Sequence, residues 1–177
     1  MKSFSKFYLS LILITGLIAG CDEVDKLLTF TITDETDFTI ETASPLNIPL
    51  PISTPDITTN SSQEFQNNNT RADLVKDVRL EQLKLTITDP QNKTFSFLKS
   101  IRIFISTNQN DEIELAHLDN IASPSNTLEL ETTDAKLDTY AKASSYKLRV
   151  EAVTKETLNE DVDIRSTLKF KVTADPI

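Results

Sequence analysis

Both glycines of this 177-residue chain, Gly16 and Gly20, fall within its first twenty residues, so the remaining 177 − 20 = 157 residues contain none. Glycine takes positive φ without steric cost and lets a ligand or another backbone come close. Phosphate-cradling loops, dinucleotide fingerprints, the strained turn beneath a hydrolase serine and calcium-binding EF-hand loops all require it. Those function classes are excluded. Reverse turns must be built from Asn, Asp, Ser and Pro, and of these asparagine tolerates the left-handed region best.

The two glycines belong to a distinct N-terminal segment. Lys2 and Lys6 bracket its start, an apolar run follows from Phe7 to Ile18, and Ala19, Gly20 and Cys21 come next. That order is the layout of a secretory signal peptide. The run is shorter than the about 20 apolar residues a membrane-spanning helix needs. Leu17-Ile18-Ala19-Gly20-Cys21 resembles a lipobox, the recognition site of the bacterial lipoprotein pathway. The resemblance implies cleavage after Gly20 and lipid on Cys21; the alternative is an ordinary signal peptide beside a free thiol. Each buried acyl CH₂ contributes roughly 0.8 kcal/mol, and two or more chains hold a protein firmly to its membrane. Cys21 is the chain's one cysteine, which rules out a disulfide within the monomer. The expected organisation is a signal peptide over 1–20, a lipidated tether over 21–26 and a single domain over 27–177.

Loss of Lys2 and Lys6 with the signal turns the formal net charge of −9 into −11. Nucleic-acid binding needs a basic surface, so it is not expected. Acidic side chains on outward strand faces account for the charge as a solubility device. The expected domain also lacks Trp and keeps two tyrosines, Tyr140 and Tyr146, which weakens a carbohydrate-binding reading.

Hydrophobic alternation with period two runs through the domain and predicts strands. Phe30 and Ile32 alternate with threonines, Asp34-Glu35-Thr36-Asp37 reads as a turn, and Phe38 and Ile40 read as the return strand. Pro45, Pro49, Pro51 and Pro55 confine the next stretch to an edge strand or an extended crossover. Residues 53–73 are polar and read as a loop, with a short strand near Phe65 as an alternative for part of it. Val78 and Leu80 share one phase while Leu83, Leu85 and Ile87 share the other, so a bulge or break is expected near Glu81-Gln82. Asp89-Pro90-Gln91-Asn92 and Asn108-Gln109-Asn110-Asp111 read as turns. Ile101, Ile103 and Ile105 mark a strand between them, and Ile113 with Leu115, then Leu128 with Leu130, mark later ones. The one helical stripe lies in residues 134–144, where Leu137, Tyr140, Ala141 and Ser144 share a face and Asp134 is placed to cap. Two long strands close the chain, carrying Tyr146 to Ala152 and Ile164 to Val172. About eight to ten strands with one short helix and no βαβ rhythm predict an all-β, antiparallel β-sandwich.

The segments FSFLKSIRIFIST, LELETTDAKLDTYAKASSYKLRVEAVTKET and LKFKVTA resemble small lipoproteins of the Bacteroidota, over about residues 74–174. The resemblance implies an Ig-like or related sandwich and carries no site residues. In that group acidic residues after the lipidated cysteine accompany export to the cell surface, and Asp22-Glu23 fits that pattern. In proteobacteria an aspartate there resembles an inner-membrane retention signal.

Few residues invite chemistry. His117, the sole histidine, follows Leu115 on the same strand phase and is expected near the core edge. No nucleophile motif accompanies it, so no catalytic residue is assigned and the chain is read as a non-enzyme. Asp34, Glu35 and Asp37, and separately Glu160, Asp161 and Asp163, are acidic groups without a metal-ligand spacing, best read as solvated turns. Asn60, Asn68 and Asn92 begin Asn-X-Ser/Thr sequences that carry no meaning beside a lipobox. No cofactor or metal is expected. The only site residue is Cys21, whose lipid makes the membrane a partner, with an unidentified protein as another. The expected role is a lipid-anchored outer-membrane module that binds protein or serves structurally, facing the surface or the periplasm. The alternatives are a periplasm-facing small-ligand carrier or an accessory subunit of an envelope complex.

Overall fold

The computed structural model describes residues 27–42 and 44–177. The signal peptide, Cys21 and the tether read from the sequence lie outside the described residues. Ten strands follow in order: β1 (Leu28–Ile40), β2 (Leu50–Ser53), β3 (Ile57–Thr58), β4 (Val75–Asp89), β5 (Leu98–Ser106), β6 (Ile113–Leu118), β7 (Thr127–Glu129), β8 (Glu131–Thr132), β9 (Ser145–Thr154) and β10 (Val162–Ala174). One sheet has the order β1-β10-β4-β7. The other has the order β2-β9-β5-β6-β8, with β3 also on β9. Every strand pairing is antiparallel. The chain folds as an all-β antiparallel sandwich.

Alternation dictates which side chains meet between the sheets. Leu83 and Leu85 of β4, Ile164 and Leu168 of β10, Ile103 and Ile105 of β5, and Leu148 and Val150 of β9 are all wholly buried. Removing each such side chain from water contributes about 1.5–3 kcal/mol. The phase conflict in β4 is resolved by a bulge: Gln82 pairs with Lys169 and Leu80 with Phe170, leaving Glu81 as the extra residue. Val78 and Leu80 thereby face the core together with Leu83, Leu85 and Ile87.

The N-terminal strand departs from expectation. Asp34 to Asp37 do not turn, and β1 runs through them in thirteen unbroken pairs with β10. Their polarity is absorbed by position. Glu35 and Asp37 face outward, where Thr167 donates to Glu35 at 3.3 Å and the Arg165 guanidinium meets Asp37 at 2.9 Å. Asp34 faces inward and is taken up by a partner on the opposite sheet.

Residues 53–73 are also more ordered in plan than a loop. They contain β3, a short helix α1 (Ser61–Asn67) and the start of a 3-10 turn at Ala72–Leu74. Phe65 lies on α1, not on a strand, and is buried edge-on against Phe30 with ring centroids 6.3 Å apart. The predicted helix shrinks to α2 (Asp138–Lys142), because Leu137 is held before it by an N–H bond to the carbonyl of Val78. Leu137, Tyr140 and Ala141 are buried as the stripe required, while Ser144 lies beyond the helix and Asp134 meets Arg79 instead of capping. Pro51 does sit on an edge strand, β2. The turn after β4 closes one residue later than read, with the Lys93 N–H donating to the Pro90 carbonyl.

Three described residues have positive φ, and all are asparagines: Asn47 at 60°, Asn69 at 53° and Asn120 at 54°. A Cβ-bearing residue without a local polar side chain costs about 1–2 kcal/mol there. Replacing any of the three by alanine is expected to lower stability by about that amount, whereas glycine should not. Urea unfolding of the Ala and Gly pairs checks this; equal midpoints for Ala and Gly at all three sites would refute it.

Candidate functional site

The outer face of the second sheet carries charged side chains in ordered rows. Antiparallel register lines up Glu151 of β9, Arg102 of β5, His117 of β6 and Glu131 of β8 in one row. The adjoining row holds Arg149, Phe104 and Glu114. Arg149 is fixed on three sides. Its guanidinium bonds both oxygens of Glu112, at 2.7 and 2.9 Å, reaches Glu151, and stacks over the Phe104 ring at 4.1 Å. The Glu112 bond raises the Arg149 pKa further, and the same bond holds Glu112 below the ordinary carboxylate range. Arg102 reaches Asp119 at 3.2 Å.

His117 does not point towards the core edge. Phe104 pairs with Glu114 and Ile103 with Ala116, so Leu115 is an extra residue in β6. The bulge buries Leu115 and Ala116 together and turns His117 outward, opposite Arg102. Because of that insertion, residues three apart share a face, and Nδ1 of His117 lies 2.8 Å from Glu114. Glu131 approaches Nε2 at 3.8 Å. The imidazole is therefore flanked by carboxylates on an open face. A hollow of about 340 Å³ lies at the β5–β6 loop and is lined by Ser106, Thr107, Asn108, Gln109, Glu112 and Lys147. His117 is not among its walls.

The loop beside that hollow is built on Asp111. Its carboxylate accepts from the backbone N–H groups of Thr107 at 2.9 Å and Asn108 at 3.0 Å, and from both of their side chains. Those bonds, the Thr107 hydroxyl first, keep the Asp111 carboxyl below its usual range. Tyr140 of α2 anchors the same loop by donating to the Asp111 carbonyl.

The acidic groups read from the sequence are dispersed. Asp34, Glu35 and Asp37 occupy alternating faces of β1. Asp161 accepts from the Thr42 backbone N–H at 2.8 Å and its hydroxyl at 3.0 Å, while Asp163 accepts from Thr39 at 2.6 Å. Among the described residues no three His, Cys, Asp or Glu side chains converge as a metal site would require. Asn60 and Asn68 flank α1, where the Asn68 amide donates to the Glu64 carbonyl. Asn92 is exposed in the turn after β4.

Asp34 is the site that sequence reasoning placed wrongly. It is buried between the sheets, where the Tyr146 hydroxyl of β9 donates to it at 2.7 Å. Tyr146 in turn meets the Phe170 ring edge-on at 6.2 Å. Burial pushes the Asp34 carboxyl above its ordinary pKa, and the Tyr146 bond offsets part of that rise. Burial and the adjacent Asp34 also push the Tyr146 phenol upward. The one available signal was parity: Asp34 shares the phase of Phe30, Ile32 and Phe38. Close by on β10, Ser166 is wholly buried with its hydroxyl unpartnered among the described residues.

No protein-family model matches this chain, and no curated protein is significantly similar to it in sequence. The solved structures named next match this chain at low identity and with TM-scores below 0.5. A protein from Eubacterium rectale described as secreted is 12% identical with a TM-score of 0.45, over 84% of this chain and 40% of that one. This chain thus spans well under half the length of that neighbour. The capsid protein of a 60-mer BFDV particle is 9% identical with a TM-score of 0.40, over 86% of this chain and 95% of that one. Desmodium yellow mottle tymovirus gives 14% identity and a TM-score of 0.31, over 85% and 84%.

Asp34 makes a pH-dependent contribution whose sign follows from its raised pKa. The neutral acid is favoured in the fold, so its stabilisation is complete below the unfolded pKa and is lost as pH rises through the raised folded value. Above that, the fold carries a poorly solvated carboxylate. Asp34→Asn keeps an acceptor for Tyr146 and is expected to be more stable than the parent at pH 7, with the gap closing towards pH 4. Asp34→Ala leaves the Tyr146 hydroxyl unpaired and should lose about 1–3 kcal/mol. Comparing urea midpoints of Asn variant and parent at the two pH values cancels every other carboxylate; a constant gap would contradict the assignment.

Proposed function

We propose that this chain is a lipid-anchored lipoprotein of the bacterial outer membrane whose sandwich is a non-enzymatic protein-binding or structural module. The observation that carries the reading is the position of Cys21. It is the only cysteine, it ends a basic–apolar–small segment, and it stands seven residues before the first strand at Leu28. Seven residues reach at most about 25 Å at full extension, so lipid on Cys21 would hold the sandwich against its membrane. Lipidation also accounts for a cysteine set directly after Ala19 and Gly20, which secretion alone does not require.

A binding role is supported by how the outward polar groups are used. Arg149, Asp111, Asp37 and Asp161 are each engaged by neighbouring side chains or backbone, and His117 lies between carboxylates on an open face. These are features of a surface that presents charge in fixed positions. A nucleophile held by a base in a sheltered cleft, the arrangement hydrolytic chemistry needs, would look different.

Metabolic labelling with palmitate, with Cys21→Ala as control, tests the anchor. The parent chain is expected to take up label and to sediment with membranes, and the variant to do neither. A parent without label that is released into the soluble fraction would overturn the reading. Protease applied to intact labelled cells then distinguishes a surface-facing domain, which is cleaved, from one facing the periplasm, which is protected until the envelope is opened.

A further inference from the structure

The lateral edges of the two sheets are unequal. β7 has three residues, β8 two and β3 two, and the four-residue β2 contains Pro51. Short length and proline are two of the usual ways a sheet edge is kept from pairing with another chain. β1 uses neither. It has thirteen residues, no proline, no lysine and no bulge in its register with β10. Alternate N–H and C=O groups along it point away from β10, and among the described residues no strand lies beyond.

The residues of this edge are arranged almost symmetrically about Asp34. Leu28 and Ile40, Thr29 and Thr39, and Phe30 and Phe38 stand at equal distances on either side of it. An antiparallel strand of the same sequence, centred there, places Phe30 against Phe38, Thr29 against Thr39 and Leu28 against Ile40, on matching faces. Outside the core it sets Thr31 opposite Asp37 and Thr33 opposite Glu35, with no like charges facing. Aromatic, threonine and apolar pairs are the ones that stabilise adjacent strands. Leu28 and Phe30 are only half-buried in the single chain, so pairing would cover apolar surface that is now wet. One feature opposes it: Asp34 of each chain meets its own copy at the centre.

We propose that the open edge of β1 pairs with β1 of a second copy, antiparallel and centred on Asp34, to join two four-stranded sheets into one of eight strands. The contact is isologous, with one two-fold axis through the Asp34 pair. It buries a single strand's edge and carries facing carboxyls, so it belongs with small, transient interfaces. It does not depend on whether Cys21 carries lipid.

Disulfide trapping in the full chain tests the register. Thr29 and Thr39 lie about 34 Å apart along one strand, too far to link within a chain, yet adjacent across the proposed axis. Under mild oxidation the double variant Thr29→Cys/Thr39→Cys is expected to give a linked species of twice the chain mass, with peptides joined between positions 29 and 39. Each single variant should lose that species, and the unmodified chain controls for Cys21. Asp34→Asn added to the double variant should raise the linked fraction. A double variant that links no more than the singles would overturn the proposal, as would Thr33→Cys linking to itself, which marks a different register. Hydrogen exchange of the unmodified chain gives a check free of mutation: β1 amides should slow as concentration rises, and invariance would count against the dimer.

Discussion

Strand β10 is the element on which the fold depends. It is the last strand in the chain, and it lies between the first, β1, and the long β4. Its hydrogen bonds tie Val162–Ala174 to residues 28–40 on one side and 75–89 on the other. Neither neighbour can complete its sheet until the C-terminal residues arrive. Loop closure over such separations is slow, and sandwiches dominated by non-local pairing fold on millisecond-to-second scales. During that interval β1 and β4 both have exposed edges. The bulge at Glu81 and the buried carboxyl of Asp34 favour one register for them, because a one-residue slip would expose every apolar side chain they bring to the core.

Two bulges decide what the outer faces display. The extra residue at Glu81 lets β4 change phase and still deliver both of its apolar sets inward. At Leu115 the extra residue has the opposite consequence: it turns His117 outward and places Glu114 beside it. Local twist and side-chain direction change at such points without altering the strand order. The charged rows across β9, β5, β6 and β8 therefore follow from backbone irregularity as much as from composition.

Much of this was legible in the residues. Period-two alternation located β4, β5, β9 and β10, the phase break in VRLEQLKLTIT located the Glu81 bulge, and the absence of glycine pointed to asparagine at positive φ. The errors share a cause. Asp34-Glu35-Thr36-Asp37 reads as a turn on polarity alone, although Asp34 keeps the phase of Ile32 and Phe38. What made Asp34 acceptable inside was Tyr146, more than a hundred residues away, and no local pattern reveals such a partner. Helix α1 was missed because Phe65 is its single large apolar anchor, too little for a periodic stripe. His117 departs from the expected position because unbroken alternation through Leu115 ignores the phase change in IELAHL, where Ile113 and Leu115 give way to Ala116 and Leu118.

A buried carboxyl–phenol pair is a weak choice if stability alone mattered, since well-packed apolar residues often serve as well or better. Its effect is on specificity. Asp34 can face inward only where Tyr146 meets it, so β1 has one register on β10 and one placement over β9. Any shift leaves both groups unsatisfied in the core. The same residue limits what β1 can do at its free edge, because an inward charge on an edge strand opposes continuation of the sheet. One side chain thus fixes the strand within the domain and restrains its pairing beyond it. That double constraint leaves the longest edge among the described strands open to pairing, but only weakly and in a register set by Asp34.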